Sequence, residues 1–199
     1  MEISAKDVME LRKKTGAGMM DCKKAINDAN GDMEKAADIL REKGIASAQK
    51  RSGRETKEGY IAVYVHTGSK LAAMVEINCE TDFVSRNKDF QKFAQDIAMH
   101  IAAANPLSIT PDDLDQEIVE KEREIYKAQA LNEGKKPEFV DKIVDGRLKK
   151  FYAESCLMNQ IYIRDETKKK TIQDMLGELM AIIGENIVIG RFSRFQIGA

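Results

Sequence analysis

Cysteine and histidine, which build most zinc and disulfide sites, are scarce in this sequence. The three cysteines, Cys22, Cys79 and Cys156, form an odd set without a CxxC spacing, which argues against a disulfide framework or a zinc site. The two histidines, His66 and His100, lack a neighbouring cysteine or histidine at ligand spacing. We therefore expect no metal and no other cofactor, cysteines that are small core residues in a reducing cytosol, and histidines that are structural.

Long hydrophobic runs are also missing. No charged-then-apolar signal sequence opens the chain, and no stretch approaches the roughly 20 apolar residues that a membrane-spanning helix needs. The sequence therefore predicts a soluble, cytoplasmic protein with no membrane partner.

Neither sign of charge dominates. The chain carries 32 Lys and Arg against 33 Asp and Glu, a formal net charge of -1, so it lacks the overall electrostatic signature of a nucleic-acid binder. We expect no nucleic-acid partner, although the composition leaves a local basic patch open.

The residue patterns of common catalytic sites are absent as well. No Ser-His-Asp or Cys-His spacing and no carboxylate pair in an evident pocket can be identified. The segment Gly68-Ser69-Lys70 is only superficially like a phosphate loop, because the Walker spacing requires an earlier glycine and a Gly-Lys step. The protein is therefore not expected to be an enzyme, and scattered residues that converge in three dimensions are the alternative left open.

The most informative stretch that is present runs from residue 76 to residue 84. Its alternating apolar residues predict a strand, and residues 85–104 predict a helix, so Thr81 to Val84 lie at the junction between two rigid elements. Asp82 supplies a negative charge there and Phe83 a large apolar wedge. The alternative is a simple helix start, with Thr81 or Asp82 as the N-cap and Phe83 in the core.

Residues 1–43 predict a unit of three short helices. Ser4 with Asp7 is a helix-start pattern, the glycines after Thr15 end the first helix, Asn30-Gly31 ends the second, and the third runs to Lys43-Gly44. A helix-turn-helix reader of DNA is disfavoured because this unit has as many acidic as basic residues.

Met19 and Met20 are adjacent in the second helix of this unit. A helix cannot direct both side chains into the same core, so we expect at least one to face solvent or a partner. The alternative is a methionine pair that packs against a neighbouring segment.

Residues 44–58 predict a linker. The segment is polar, lacks periodic apolar positions and contains Gly53, so it is expected to be solvated and to let the first unit move. Its four basic residues in the stretch from Lys50 to Lys57 could contact RNA, but short charge runs are usually just solvated.

Residues 59–199 predict an α+β core. Two strands at Tyr60 to His66 and Leu71 to Cys79 form a hairpin, and an amphipathic helix follows them. Residues 111–156 predict two antiparallel helices that form a projecting hairpin, with Leu114, Ile118, Ile125 and Leu131 on the apolar side of the first. A helix over 171–183 and a strand over 186–195 complete a small antiparallel sheet, which is an α+β order rather than a doubly wound one.

Two blocks of this sequence together closely resemble the bacterial elongation factor Ts family. They are residues 8–25, VMELRKKTGAGMMDCKKA, and residues 76–84, EINCETDFV, and the likeness continues at residues 40–44, 58–60 and 146–151. The resemblance covers essentially the whole chain. It implies a guanine-nucleotide exchange factor for elongation factor Tu, the GTPase that delivers aminoacyl-tRNA to ribosomes, and a protein that catalyses no covalent change.

The resemblance also implies roles for individual residues. Thr81, Asp82, Phe83 and Val84 match the family motif that enters the GTPase near its nucleotide-bound magnesium, where it disturbs the metal and phosphate site and weakens GDP binding. The magnesium belongs to the partner. The three-helix unit resembles a ubiquitin-associated fold that docks on the same GTPase domain, and Arg12, Met19 and Met20 match its contact positions.

The chain is shorter than many members of the family. Those members carry a second hairpin-and-helix subdomain after the helix that ends near residue 104, whereas here Asn105-Pro106 leads almost directly into the helical hairpin. In short members self-association can supply the absent half, so the resemblance implies a homodimer. The alternative function is a translation-associated RNA-binding or chaperone-like module that uses the linker and the hairpin tip.

Overall fold

The computed structural model describes residues 4–51 and 53–198, with the backbone alone at residues 45 and 47–49. Residues 1–3, 52 and 199, which belong to the predicted three-helix unit, linker and core, lie outside this range. The helices are α1 Ala5–Thr15, α2 Met19–Asp28, α3 Met33–Arg51, α4 Asp82–Ser85, α5 Lys88–Ala104, α6 Gln116–Asn132, α7 Pro137–Ser155 and α8 Ile172–Ile183. The strands are β1 Glu58–Val65, β2 Leu71–Cys79 and β3 Ile187–Gln196.

The described chain forms two compact units, each assembled from separated segments. Unit 1 contains the residues up to Ala62 together with Val75–Gln95 and Asp174–Gly190. Unit 2 contains Val63–Met74, Asp96–Gln173 and the residues from Arg191 onward. No helix in the described part of the chain is both long enough and apolar enough to cross a membrane.

Local signals set the ends of α1 and α2. Asp7 N–H donates to Ser4 Oγ at 3.1 Å and Ser4 N–H donates back to the Asp7 carboxylate at 3.3 Å, so the predicted helix start is confirmed. Gly16, with φ of 69°, ends α1 in the left-handed region, and Asn30 at 52° follows α2. The three helices enclose a common cluster of Val8, Leu11, Cys22, Ala25, Ile26, Ala29, Ala36 and Leu40.

The third helix is longer than the sequence predicts. It was expected to end at Lys43-Gly44, yet α3 continues to Arg51, so the first half of the expected solvated segment 44–58 is helical. The reason is close packing within unit 1: a Cβ atom on Gly44 would lie 2.9 Å from Cβ of Ala181 in α8. The glycine therefore allows close approach between helices instead of ending one. Beyond it, Arg51 donates to the Met180 carbonyl at 3.2 Å.

The predicted hairpin and final strand are confirmed. The three strands form one antiparallel sheet in the order β1-β2-β3. His66 N–H donates to the Leu71 carbonyl at 2.8 Å across the turn, where Gly68 has φ of 87°. Along β2 the buried residues alternate at Ala73, Val75, Ile77 and Cys79, as expected for a strand with one buried side. The α+β fold class is thereby confirmed.

The helix predicted over residues 85–104 is present as α5 but begins later, and the separate short helix α4 precedes it. The short α4 ends at Ser85 and α5 begins at Lys88. The interruption arises at Asn87, whose Oδ1 accepts hydrogen bonds from the N–H groups of Asp89 at 2.7 Å and Phe90 at 3.4 Å. An Asn side chain in this position starts a new helix, because it satisfies N–H groups that have no partner within the helix.

Helices α6 and α7 of unit 2 pack against each other, but α6 does so through a different face from the one predicted. Their shared cluster contains Leu114, Val119, Ala130, Val140, Val144, Leu148 and Cys156, whereas Ile118, Ile125 and Leu131 are exposed. The prediction was wrong because it counted helical turns from Leu114. That residue precedes the helix, which begins only after Asp115 accepts a hydrogen bond from Glu117 N–H.

Candidate functional site

The junction between β2 and α4 is a tight turn whose capping residue is not used in the usual way. Thr81 is the N-cap of α4, with extended φ and ψ of -130° and 157°, but its side chain makes no capping hydrogen bond to the helix. The hydroxyl instead donates to the Glu185 carboxylate at 2.6 Å. We call residues 80–85 the Phe83 turn, after the side chain that it presents.

Phe83 projects into solvent. Its side chain is 81% exposed, whereas the next residue, Val84, is 8% exposed and anchors the turn in unit 1. The alternative that placed Phe83 in the core is therefore wrong, although its other half, a helix start with Thr81 as N-cap, is right. An exposed aromatic side chain next to a buried anchor can contact a partner without rearrangement of the core.

Asp82 lies on the same short helix, and its charge is partly compensated. Its carboxylate is 2.9 Å from the Arg86 guanidinium one helical turn later, and both side chains are substantially exposed. Exposed pairs of this kind are weak, so Asp82 remains able to exchange Arg86 for another cationic partner.

Sequence reasoning missed a group of polar residues that brace the turn. Glu185 accepts hydrogen bonds from the N–H groups of Glu80 and Thr81, both at 3.1 Å. Glu80 in turn accepts from Asn186 N–H at 2.6 Å and from Arg54 at 3.3 Å. Glu185 and Asn186 are more than 100 positions away from Glu80 in sequence, so no local pattern could have revealed them.

Cys79, the last residue of β2, closes the base of the turn. Its thiol donates to the Thr81 carbonyl at 3.2 Å and is fully buried. Burial, assisted by the nearby charge of Glu185, raises the pKa of the Cys79 thiol to about 11. A thiol that stays protonated near neutral pH is a poor nucleophile, which fits a supporting position for Cys79 beneath the turn.

The second set of predicted contact residues lies on the N-terminal helices. Met19 is 39% exposed and Met20 is 76% exposed at the start of α2, and Arg12 is exposed on α1. Neither methionine is buried, which disfavours the alternative that the pair simply packs against a neighbouring segment. Adaptable methionine side chains in solvent are typical of binding surfaces.

Among residues 4–51 and 53–198, no group of three or more His, Cys, Asp or Glu side chains is placed to hold a metal ion. His100 has another use: its ring is buried, with Nε2 3.0 Å from the Gln160 side-chain oxygen and Nδ1 accepting from Ile163 N–H at 3.3 Å.

Comparison with known proteins gives a consistent result over nearly the whole chain. Residues 5–176 match the family model described as Elongation factor TS. Elongation factor Ts of Thermoanaerobacter pseudethanolicus is 58% identical over 196 residues, which cover 98% of this chain and 95% of that protein. The Elongation factor Ts proteins of Nitratidesulfovibrio vulgaris and Acetivibrio thermocellus are 53% and 55% identical, with 100% and 98% of this chain and 98% and 90% of theirs covered.

Proposed function

Since this chain belongs to the elongation factor Ts family, we propose that the Phe83 turn is the element with which it releases GDP from elongation factor Tu. The family role is nucleotide exchange in translation elongation, so the protein binds elongation factor Tu and catalyses no covalent reaction. The observation that carries the proposal is the 81% exposure of Phe83 directly beside a buried anchor, Val84.

The proposed mechanism is insertion of Phe83 as a wedge. The aromatic ring enters the GTPase beside the nucleotide site, Thr81 and Asp82 extend the contact, and the buried Val84 holds the turn that presents them. Asp82 competes there for groups near the partner's magnesium, and the wedge displaces the elements that hold the metal and the phosphates. Because binding free energies are linked, GDP weakens the binding of the exchange factor by the same factor that the exchange factor weakens GDP.

A second contact is proposed for the three-helix unit of residues 1–43, which we take to be a ubiquitin-associated-type module. Arg12, Met19 and Met20 dock on the same GTPase domain. The two exposed methionines supply apolar contact area, and the guanidinium supplies a hydrogen-bonding charge. This contact attaches the factor, whereas the Phe83 turn performs the exchange.

A homodimer is proposed from the exposed side of the sheet in unit 2. Val63 and Val65 on β1 are 51% and 55% exposed, and Met74 on β2 is 45% exposed. These side chains form an apolar patch on neighbouring strands, and such patches usually mark interfaces. A second copy of the chain is the proposed occupant, because self-association supplies the half of the core that longer relatives carry in one chain.

The domain bounds and the location are proposed on the basis of the same family resemblance. The core is proposed to span residues 59–199, with α6 and α7 as a helical hairpin, residues 44–58 as the connection to the docking unit, and the cytoplasm as the site of action. No nucleic-acid or membrane partner is proposed.

The direct test is the release of a fluorescent GDP analogue from elongation factor Tu, followed by stopped flow with and without this chain. We expect this chain to accelerate the release of GDP. The acceleration should depend only weakly on salt concentration, because apolar docking lacks the counterion release that accompanies phosphate binding. Release at the intrinsic rate would overturn the proposal. Tight binding of RNA that weakens steeply with salt would favour the RNA-binding alternative.

A further inference from the structure

The Phe83 turn has an unusual support, because its backbone is held by a carboxylate from a distant part of the chain. Glu185 lies between α8 and β3, and it accepts three hydrogen bonds from two consecutive residues, Glu80 and Thr81. One carboxylate oxygen accepts both backbone N–H groups at 3.1 Å, and the other accepts the Thr81 hydroxyl at 2.6 Å. Hydrogen bonds to an ionised acceptor are stronger than neutral ones.

A reciprocal hydrogen bond joins the Phe83 turn to the segment that contains Glu185. The Glu80 carboxylate accepts from the backbone N–H of Asn186, the neighbour of Glu185, at 2.6 Å. The Asn186 side chain donates to the Arg54 carbonyl at 2.7 Å, and the Arg54 guanidinium is within 3.3 Å of Glu80. All of these residues belong to unit 1, so the brace and the turn form one body.

This arrangement controls the direction of Phe83. The ring has almost no packing of its own at 81% exposure, so the backbone of α4 sets the position and direction of the Cα–Cβ bond from which the ring extends. That backbone is anchored after Phe83 by buried Val84 and before it by the bonds from Thr81 to Glu185. A wedge acts only if it is presented at the correct angle, and small errors of placement are costly.

We propose that Glu185 is a positioning residue for nucleotide exchange, acting through Thr81 to hold Phe83 in its exchange-competent direction. The proposal rests on the function assigned to the Phe83 turn above. Glutamine at this position can preserve the arrangement, because its amide oxygen accepts the two backbone N–H groups and its amide nitrogen can donate to the Thr81 oxygen. Alanine removes all three bonds.

The test compares Glu185→Ala with Glu185→Gln in stopped-flow release of fluorescent GDP from elongation factor Tu. We expect Glu185→Ala to lower the maximal stimulated rate about tenfold, which is less than the roughly hundredfold loss that a 1 Å misplacement can cause. The concentration of factor that gives half the maximal rate should change much less, because the N-terminal docking contact is untouched. Glu185→Gln should recover most of the rate, and Glu124→Ala, which removes an exposed carboxylate from α6, should match the wild type.

A double-mutant cycle that adds Thr81→Val tests whether Glu185 acts through Thr81. If Glu185 acts through Thr81, the double variant should be no slower than the slower single variant. A Glu185→Ala protein that exchanges at the wild-type rate would overturn the proposal. So would equal slowing by alanine and glutamine, since that would assign the effect to the charge of Glu185 instead of its hydrogen bonds.

Amide hydrogen exchange of the free protein separates this inference from the proposed function. Glu185→Ala should speed exchange at the Glu80 and Thr81 amides, while Val75 in the interior of β2 keeps its protection and shows that the fold is intact. If the wild type fails to accelerate GDP release, the proposed function is wrong, and unchanged exchange at Glu80 and Thr81 would separately refute the brace.

Discussion

Phe83 gains almost nothing from folding. Full burial of a phenylalanine side chain stabilises a protein by about 1.5–3 kcal/mol, and at 81% exposure this residue forgoes most of that free energy. Its neighbours show the opposite pattern: Cys79 and Val84 are buried, and the Thr81 hydroxyl is bonded. Residues that stabilise the fold therefore surround one that does not, as expected where a side chain is presented for binding.

His100 is the clearest case of a single residue that links stability to pH. Both of its ring nitrogens are bonded only if the ring is neutral, because Nδ1 accepts from Ile163 N–H and Nε2 must donate to Gln160. Burial lowers the pKa of His100 below its ordinary value, and the hydrogen bond to Gln160 opposes this only in part. The other ring near it is Tyr162, whose hydroxyl is bonded to Asp96.

We predict that stability falls as pH drops through about 6.5, the ordinary pKa of histidine, since the unfolded chain then binds a proton that the folded chain refuses. A single histidine changes the free energy of unfolding by at most about 1.4 kcal/mol per pH unit. Urea unfolding at pH 7.5 and pH 5.5 should show a smaller loss for His100→Gln than for the wild type. Identical losses for the two proteins would show that His100 is not responsible.

Between elements of unit 1, α3 and α8 approach each other closely. Gly44 faces Ala181, Arg51 bonds the Met180 carbonyl, and the Arg41 guanidinium is 2.8 Å from the Asp174 carboxylate. The extension of α3 to Arg51 thus has a structural partner, and the first part of the expected linker belongs to a packed helix.

This packing makes opposite predictions for two helical glycines. Gly44→Ala should destabilise the protein by about 1–3 kcal/mol, because its Cβ would lie 2.9 Å from the rigid Cβ of Ala181. Gly146→Ala, on α7 with nothing within 4 Å of the added atom, should instead stabilise by up to about 1 kcal/mol through helix propensity. Chemical denaturation measures both changes. A Gly44→Ala protein as stable as the Gly146→Ala protein would refute the close contact.

The elements that the sequence predicted well are those whose signals are local. The Ser4 and Asp7 cap, the Asn30-Gly31 stop and the hairpin strands depend on residues within a few positions of one another. The errors arise where a contact is made by residues distant in sequence, or where the start of a helix is misplaced. The sequence predicts a helix end at Gly44 because nothing local reveals its distant partner Ala181, and it predicts the wrong buried face of α6 because the helix begins after Leu114.

In the candidate site, too, local signals were informative and contacts between distant residues were not. The strand and helix patterns located the Phe83 turn and the family resemblance gave it a role, but residue types alone could not decide whether Phe83 is buried or exposed, since either suits an aromatic residue after a strand. Glu185 could not be inferred at all, because its hydrogen bonds to Thr81 join residues 104 positions apart.

For the whole molecule, the exposed sheet patch of unit 2 bears on assembly. We predict a dimer with twice the 22.3 kDa mass of one chain at micromolar concentration in sedimentation equilibrium. Val65→Glu should shift the equilibrium to monomer, since it places a charge in the apolar patch, whereas Ile125→Glu at an exposed site on α6 should not. A wild-type monomer would contradict the assembly. Reducing agent should have no effect, because all three cysteines are free and buried.

In the whole molecule, Phe83 is proposed to act on elongation factor Tu and not on the fold of its own chain. A factor shifts its partner toward the state that releases GDP only if it binds that state more tightly, and Phe83 is the proposed source of the difference. Asp82→Ala should have a smaller effect, because Arg86 already compensates that charge in the free protein. Phe139, exposed on α7, offers a matched aromatic control.

The decisive measurement pairs the melting temperature of Phe83→Ala with its stimulated rate of GDP release. We predict an unchanged melting temperature, unlike the loss of about 3–5 kcal/mol that follows truncation of a core aromatic residue. Release should slow about tenfold or more, as for an interface hot spot, while Phe139→Ala behaves as the wild type. A Phe83→Ala protein that is folded and releases GDP at the wild-type rate would contradict the account.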